Sequence, residues 1–218
     1  MKQIILMFSV LSISIGLSIF SIFNTENKFE QLKKHHSEKT YSYALDCVKE
    51  AEYKYWQCKA ELIDEVQNYI SSVAPTSNLR GYALVEECEK YGIDICFALA
   101  QGEIESHFGT KGLGAKINNV WNVGVFDGKT LSEIHNIYKN QNPNESIRPY
   151  LELLSTNYLV NKLEADLLEN FVDVNGKRYA TYPKYEEALR SKYNYIIENT
   201  KINEKLAMTH SYAIKCGW

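Results

Sequence analysis

The sequence predicts a mainly helical (α+β) fold with one small β-hairpin, preceded by an apolar N-terminal segment and a long helix. Residues 4–23 carry no charge, and Tyr41–Ile70 has helical periodicity without Pro or Gly. After residue 78, several helical patterns each end at a glycine or a polar break. The hairpin prediction rests on FVDVNGKRYATY (171–182), in which two β-prone runs flank Asn175-Gly176, a pair typical of type I′ turns.

The composition is that of a folding chain with no nucleic-acid partner. Of 218 residues, 45% are hydrophobic and 23% are charged, which leaves room for one domain of ordinary size plus appendages. The net charge of -3 provides no basic surface for a phosphate backbone. We therefore expect no nucleic acid among the partners.

The apolar run IILMFSVLSISIGLSIFSIF (4–23) predicts contact with a membrane. Twenty residues at ~1.5 Å rise would cross a hydrocarbon layer of ~30 Å. The run is long for a cleavable signal peptide, and Ser21-Ile22-Phe23 is a poor cleavage site. We favour a signal-anchor over a cleaved signal for residues 1–23, and both interpretations stay open.

Between this run and the main domain we expect a polar tether (24–40) and then a helical stalk with a linker (41–78). The helix carries a heptad-like seam made of Ala44, Val48, Ala51, Tyr55, Cys58 and Leu62. It is either a stalk that self-associates through 41–70 or a helix packed on the main domain, and the residues do not distinguish the two. Pro75 marks the linker SSVAPTSN.

The main domain is predicted over residues 79–218 as a series of helices. Tyr82–Tyr91 should stop at Gly92, and Ile95–His107 should be N-capped by Asp94 and end by Gly109. The segment GTKGLGAKINN (109–119) is predicted as a loop. Further helices are expected at 132–139, 149–161, 164–169, 184–199 and 203–214.

The segment LAQGEIESHFG (99–109) holds the residues with the clearest chemical potential. On a helix, Glu103 and Glu105 are ~200° apart, so they face opposite sides and are not a carboxylate pair by themselves. Ala98, Gly102 and Glu105 form one line, whose small residues allow another element to approach closely. A half-buried carboxyl at Glu105 would have a raised pKa and would suit a general acid. The alternative is that both acids solvate the helix end.

The same segment, followed by NNVWNVG, resembles the active-site helix and loop of the glucosaminidase-type peptidoglycan hydrolases, a lysozyme-like family. The helix pattern A-Q-x-x-x-E-S-x-[WF]-G is matched by Ala100, Gln101, Glu105, Ser106, Phe108 and Gly109. The loop pattern N-x-[FW]-x-[IV] is similar to 119–123. The segment YPKYEEAL (182–189) resembles the family's tyrosine segment, although Pro183-Lys184 departs from its usual small residue.

This resemblance, over roughly 79–199, implies a lysozyme-like fold and a set of catalytic roles. Glu105 would protonate the glycosidic oxygen between N-acetylglucosamine and N-acetylmuramic acid. Tyr182 would act near the N-acetyl group or the attacking water. A second carboxylate would come from the hairpin lobe, as Asp173 or Glu169, although neither matches the family spacing. Otherwise the substrate's acetamido oxygen would attack.

Peptidoglycan glycan strands are the partner that the resemblance implies. The residues expected to contact them are Ser106, Phe108, Asn119, Trp121, Asn122 and Tyr179. Trp121, Phe126 and Tyr179 are candidates for stacking on sugars, although each by itself is more typical of a core residue. The choice of bond, and hydrolysis against transglycosylation, stay open.

No cofactor or metal is expected. The five cysteines form no C-x-x-C pair and their disulfide pairing stays open, and no H-E-x-x-H is present. In GTKGLGAK, Ala115 interrupts the Gly-Lys pair of a phosphate-binding loop.

Three function classes follow. The favoured one is a wall-cleaving enzyme at the cell envelope, with its catalytic domain outside the cytoplasmic membrane, or secreted if the N-terminal segment is cleaved. The second is a catalytically silent module that binds peptidoglycan. The third is a membrane-anchored structural or assembly protein that acts through the 41–70 helix.

Overall fold

A computed structural model describes residues 38–125, 130, 132–133 and 139–216. The predicted N-terminal segment (4–23), Phe126 and most of the predicted helix 132–139 lie outside these residues. Within the described ranges, no helix combines the length and the apolar character that a membrane crossing requires.

The described chain is mainly helical, as predicted. Its α-helices are α1 (Glu38–Val73), α2 (Gly81–Tyr91), α3 (Ile95–Ser106), α4 (Gly112–Ile117), α5 (Ile147–Leu153), α6 (Glu164–Glu169), α7 (Tyr185–Asn199) and α8 (Ile202–Cys216). A 3₁₀ turn (Pro143–Ser146) precedes α5, and a π-helical turn (Leu154–Tyr158) follows it.

The chain divides into two compact units, and the larger one, Lys59–Leu206, begins inside α1. The other unit contains the described residues 38–58 and 207–216. In the larger unit, the second half of α1 buries Leu62, Val66 and Ile70 completely. This half of α1 is therefore a core helix, which agrees with the second of the two interpretations of the long helix.

Glycine permits the close contact between α1 and α2. A Cβ on Gly81 would lie 2.8 Å from the backbone nitrogen of Gln67, so any larger residue would push the two helices apart. The Gly81 N–H donates to Gln67 Oε1 at 2.8 Å, which gives the first turn of α2 a partner on α1.

Helix α3 is the central element of the larger unit. Its residues Ile95 to Gly102 are all buried, so this part of the helix is covered by other elements on every side. Helix α7 packs against it. The predicted ends are largely confirmed, since Gly92 closes α2 with φ 64° and Asp94 accepts from the Cys96 N–H at 2.7 Å.

At its C-terminus α3 ends abruptly. His107, Phe108 and Gly109 have φ values of 53°, 53° and 76°, and three successive left-handed residues cannot continue a right-handed helix. The buried Phe108 ring and a 2.6 Å hydrogen bond from Ser77 Oγ to the Phe108 carbonyl hold this reversal.

The prediction of a loop over 109–119 is wrong in part, because this segment contains α4. A Cβ on Gly114 would lie 2.4 Å from the Cβ of Ser106, so this glycine permits close packing of α4 on the end of α3. A glycine-rich composition predicts a loop, whereas at Gly114 the missing side chain permits helix packing.

The predicted hairpin is present in a reduced form. Within the described residues it has a single antiparallel bridge, Val172–Arg178, and no regular strand. The Asp173 N–H donates to the Lys177 carbonyl at 2.8 Å, and Gly176 has φ 79° while Asn175 is not left-handed. The loop therefore has three residues that end in a left-handed glycine, and the predicted type I′ turn is wrong.

Candidate active site

The Glu105 carboxyl is half-buried near the C-terminus of α3 and is held from two sides. Its Oε1 accepts a hydrogen bond from the Tyr185 hydroxyl at 2.5 Å, and its Oε2 accepts one from Asn122 Nδ2 at 3.0 Å. The same Nδ2 also donates to the Glu105 carbonyl at 3.0 Å. The first residue of α7 and the loop after α4 thus meet at this acid.

Burial is the main influence on this acid, and it raises the pKa of Glu105. The hydrogen bonds from Tyr185 and Asn122 act in the opposite direction, because they favour the charged form, but they offset only part of the effect. A carboxyl with a raised pKa keeps its proton closer to neutral pH, which is the property a general acid needs.

Glu103 lies on the opposite side of α3, as the helical spacing predicts. Its Oε2 accepts from the Tyr69 hydroxyl at 2.5 Å, and its Oε1 pairs with Lys192 Nζ at 2.7 Å. These contacts join α1, α3 and α7. Glu103 is therefore a structural connection and takes no part in the contacts around Glu105.

Trp121 packs on the line of small residues on α3. The indole nitrogen of Trp121 donates to the Ala98 carbonyl at 2.9 Å, and a Cβ on Gly102 would lie 3.1 Å from that nitrogen. The Trp121 ring stacks on Tyr150, with centroids 4.5 Å apart and planes inclined by 8°. The predicted close approach is confirmed, and its partner is the loop that carries Asn122.

Four of the residues expected to contact sugar are instead buried: Ser106, Phe108, Asn119 and Trp121. Ser106 Oγ donates to the Val120 carbonyl at 2.7 Å and accepts from the Gly109 N–H at 2.8 Å. Asn119 bonds twice to the backbone of Val123. In this structure the four support the loop beneath the acid, and a direct contact of any of them with sugar stays a prediction.

Tyr179 also has a supporting position. Its hydroxyl donates to the Trp121 carbonyl at 2.8 Å, which links the hairpin to the loop. Its ring is stacked with Phe171 at 4.6 Å and with Tyr185 at 5.9 Å, so both neighbours compete with the predicted stacking on a sugar.

The tyrosine on the acid is Tyr185 rather than Tyr182. The Tyr182 side chain is 57% exposed, and its carbonyl accepts from Arg178. Tyr185 is 4% exposed and is the first residue of α7, which packs on α3. The sequence YPKY contains both tyrosines, and the choice between them depends on where α7 begins. A contact of Tyr182 with substrate stays a prediction.

The two acids proposed as the second carboxylate have other partners. Asp173 Oδ1 accepts from the N–H groups of Asn175 and Lys177, both at 2.8 Å, and these bonds hold the pKa of Asp173 below its usual value. Glu169 pairs with Arg190. In the described chain, neither acid is hydrogen-bonded to Glu105.

The described residues include two surface grooves, of about 620 and 980 Å³, and neither is lined by Glu105. Both share Tyr82, Asn144 and Glu145. No group of three His, Cys, Asp or Glu side chains in the described ranges is placed to hold a metal ion. The thiols of Cys58, Cys88, Cys96 and Cys216 are free.

Comparison with known families gives one match. The model of the glucosaminidase family, described as mannosyl-glycoprotein endo-β-N-acetylglucosaminidase, matches residues 81–198, which is more than half of the chain. The match includes Glu105, Asn122 and Tyr185. No curated protein matches the sequence.

Proposed function

Because the chain belongs to the glucosaminidase family, we propose that it cleaves the β-1,4 bond between N-acetylglucosamine and N-acetylmuramic acid in peptidoglycan. Family membership supports a peptidoglycan hydrolase in general, and the site supports the specific chemistry. The observation that carries the proposal is the half-buried Glu105 carboxyl, whose pKa burial raises and whose oxygens both accept hydrogen bonds.

In this proposal Glu105 acts as the general acid. It transfers its proton to the glycosidic oxygen while the bond from that oxygen to the anomeric carbon breaks. The carboxylate that forms is a stronger acceptor than the neutral acid. The hydrogen bonds from Tyr185 and Asn122 therefore strengthen during the transfer, which is the differential stabilisation that catalysis requires.

For the group that attacks the anomeric carbon, we propose the acetamido oxygen of the substrate itself. Asp173 is the predicted alternative, but its Oδ1 already accepts two hydrogen bonds within the hairpin loop. Attack by the acetamido oxygen needs no second carboxylate, and this route is known among glycosidases. Water would then open the resulting ring, with the Glu105 carboxylate accepting its proton.

The first test is Glu105→Gln with Glu103→Gln as its matched control. Loss of the general acid should lower wall-clearing activity by at least about a thousandfold, since both proton transfers depend on it. Zymography with purified peptidoglycan measures the clearing, and mass spectrometry of the released reducing ends identifies the bond. Glu103→Gln should clear the gel in proportion to its folded fraction. A Glu105→Gln protein that clears normally would remove the proposal.

The second test is Asp173→Asn, which removes the charge but keeps an oxygen that can accept from the loop N–H groups. If the substrate supplies the attacking oxygen, kcat should stay within about twofold of the native value. A loss of a hundredfold or more, at unchanged stability, would instead assign the second carboxylate to Asp173.

We also propose that the enzyme works outside the cytoplasmic membrane, because peptidoglycan is found there. Residues 4–23, outside the described part of the chain, would then serve as the anchor or as an export signal. Protease treatment of spheroplasts should degrade the catalytic unit from outside, and full protection would contradict this location.

A further inference from the structure

A chain of hydrogen bonds runs behind the acid through two fully buried residues, Gln101 and Tyr150. The Tyr150 hydroxyl donates to Gln101 Oε1 at 2.8 Å, and Gln101 Nε2 donates to Tyr185 Oη at 3.2 Å. Tyr185 in turn donates to Glu105 Oε1. Neither buried residue can touch a substrate, and the hydrogen bonds of both reach Glu105 through Tyr185.

The orientation of the Gln101 amide determines where the Tyr185 hydroxyl hydrogen points. Tyr185 has a single hydroxyl hydrogen. Because Gln101 presents its N–H, that hydrogen is left for Glu105. If the amide turned over, Gln101 Oε1 would accept the hydrogen and Glu105 would face a lone pair.

Tyr150 opposes such a turn of the amide. Its hydroxyl hydrogen would lose the only acceptor that it has among the described residues, and a buried hydroxyl without an acceptor is costly. Tyr150 therefore holds Gln101 in the orientation that leaves the Tyr185 hydrogen on Glu105.

Asn122 is held as a donor on the other side of the acid. Its Nδ2 bonds both to the carbonyl and to the carboxyl of Glu105, so turning this amide would place two oxygens against each other. Its Oδ1 is the one buried side-chain polar atom of the described residues that has no partner. The fold tolerates this unpaired acceptor while keeping the amide N–H on Glu105.

We propose that Gln101 and Tyr150 are positioning residues that fix Tyr185 as a donor, so that neither protein partner of Glu105 can accept its proton. When Glu105 is neutral, its proton has to point away from Tyr185 and Asn122, toward the bound sugar that receives it. This inference rests on the proposed role of Glu105 as the general acid.

Within the part of the chain that the structure describes, the titratable side chains that face Glu105 are all tyrosines. They are Tyr185 on α7, Tyr179 from the hairpin and Tyr150 on α5, and burial together with the Glu105 charge raises the pKa of each. All three stay neutral while a carboxyl titrates. A change in pH dependence after removal of the Tyr150 hydroxyl would thus report on the hydrogen-bond chain and not on a lost charge.

The test is Tyr150→Phe, which removes the hydroxyl and keeps the ring that stacks on Trp121. With Gln101 free to turn, Tyr185 can accept the Glu105 proton, which stabilises the neutral acid and directs its proton away from the sugar. We expect kcat to fall about fivefold at an unchanged KM. We also expect the basic limb of the kcat profile to move up by roughly half a pH unit.

Tyr193→Phe is the matched control. It removes a hydroxyl that donates to Asp94 Oδ2 at 2.7 Å and takes no part in the hydrogen bonds between Tyr150 and Glu105. It should lower stability without moving the pH profile. Infrared pH-difference spectra give a readout besides activity, since the carboxyl band that is absent in Glu105→Gln reports the titration of this acid. Its midpoint should rise in Tyr150→Phe and stay unchanged in Tyr193→Phe.

An unshifted midpoint and basic limb in Tyr150→Phe, or equal shifts in both variants, would overturn the inference. If Tyr150→Phe does not fold, Gln101→Met removes the amide and should shift the midpoint in the same direction. An active Glu105→Gln protein would contradict the proposed function itself. An inactive Glu105→Gln protein together with an unshifted Tyr150→Phe protein would contradict the positioning role alone.

Discussion

The two faces of α3 place chemically identical side chains in opposite surroundings. Glu103 makes an ion pair with Lys192 and accepts from Tyr69, so its charge has a counter-charge and a donor. Glu105, two residues further along, accepts from the neutral groups of Tyr185 and Asn122. Among the described residues, no cation contacts it.

This contrast shows how one helix separates a structural role from a chemical one. A paired carboxylate contributes to stability as an ion, whereas an unpaired, half-buried carboxylate favours its neutral form. Two acids whose environments differ in this way are suited to different tasks. The sequence motif specifies Glu at position 105 alone, and the neighbours in space show how differently the two acids are surrounded.

The largest expected difference is in stability. Glu103→Gln leaves the half-buried Lys192 without its counter-charge, so the free energy of unfolding should fall by about 1–3 kcal/mol in urea titrations at neutral pH. Glu105→Gln removes an acid that burial disfavours as an ion, and it should keep or increase stability under the same conditions.

The pH dependence sharpens this contrast. Because the pKa of Glu105 is raised in the folded state, the native protein binds more protons than the unfolded chain between the two pKa values. Stability therefore falls as pH rises through that interval, and Glu105→Gln should lack this component. Equal losses of stability in the two variants would contradict the distinction between the two acids.

A smaller effect is expected for Tyr185→Phe, which removes the donor to Glu105 together with the acceptor of Gln101 Nε2. The lost hydrogen bond favoured the carboxylate, so its removal should raise the pKa of Glu105 further and move the basic limb of the kcat profile up by about one pH unit. A steady-state pH series measures this limb.

Tyr182→Phe is the control for that series. Its side chain is exposed and it is three residues away, so the basic limb should stay in place. A larger shift in Tyr182→Phe than in Tyr185→Phe would show that Tyr182, the residue that the sequence motif indicates, is the tyrosine partner of Glu105.

The features that sequence reasoning predicted well are those encoded locally. Gly92 acts through its own backbone and Asp94 through a side chain that accepts from the N–H two residues on, and the opposite directions of Glu103 and Glu105 follow from helical geometry alone. The line of small residues ending at Glu105 also indicated a close approach, although it did not identify Trp121 as the partner.

The features that it missed depend on packing between distant segments. Tyr185 reaches Glu105 because α7 packs on α3, and nothing within YPKY distinguishes it from Tyr182. The glycine-rich segment contains α4 because Gly114 fits against Ser106. The buried motif residues were expected to contact sugar because a motif records residues that support a site together with those that use it.

The second half of α1 sets the minimum length of a useful expression fragment. A clone trimmed to the family match would start at Gly81 and discard the helix against which that glycine is fitted. Without Leu62, Val66 and Ile70, the core residues that pack against them would be exposed to solvent as an apolar patch. Such a patch promotes aggregation during purification. Truncations should therefore begin no later than Lys59.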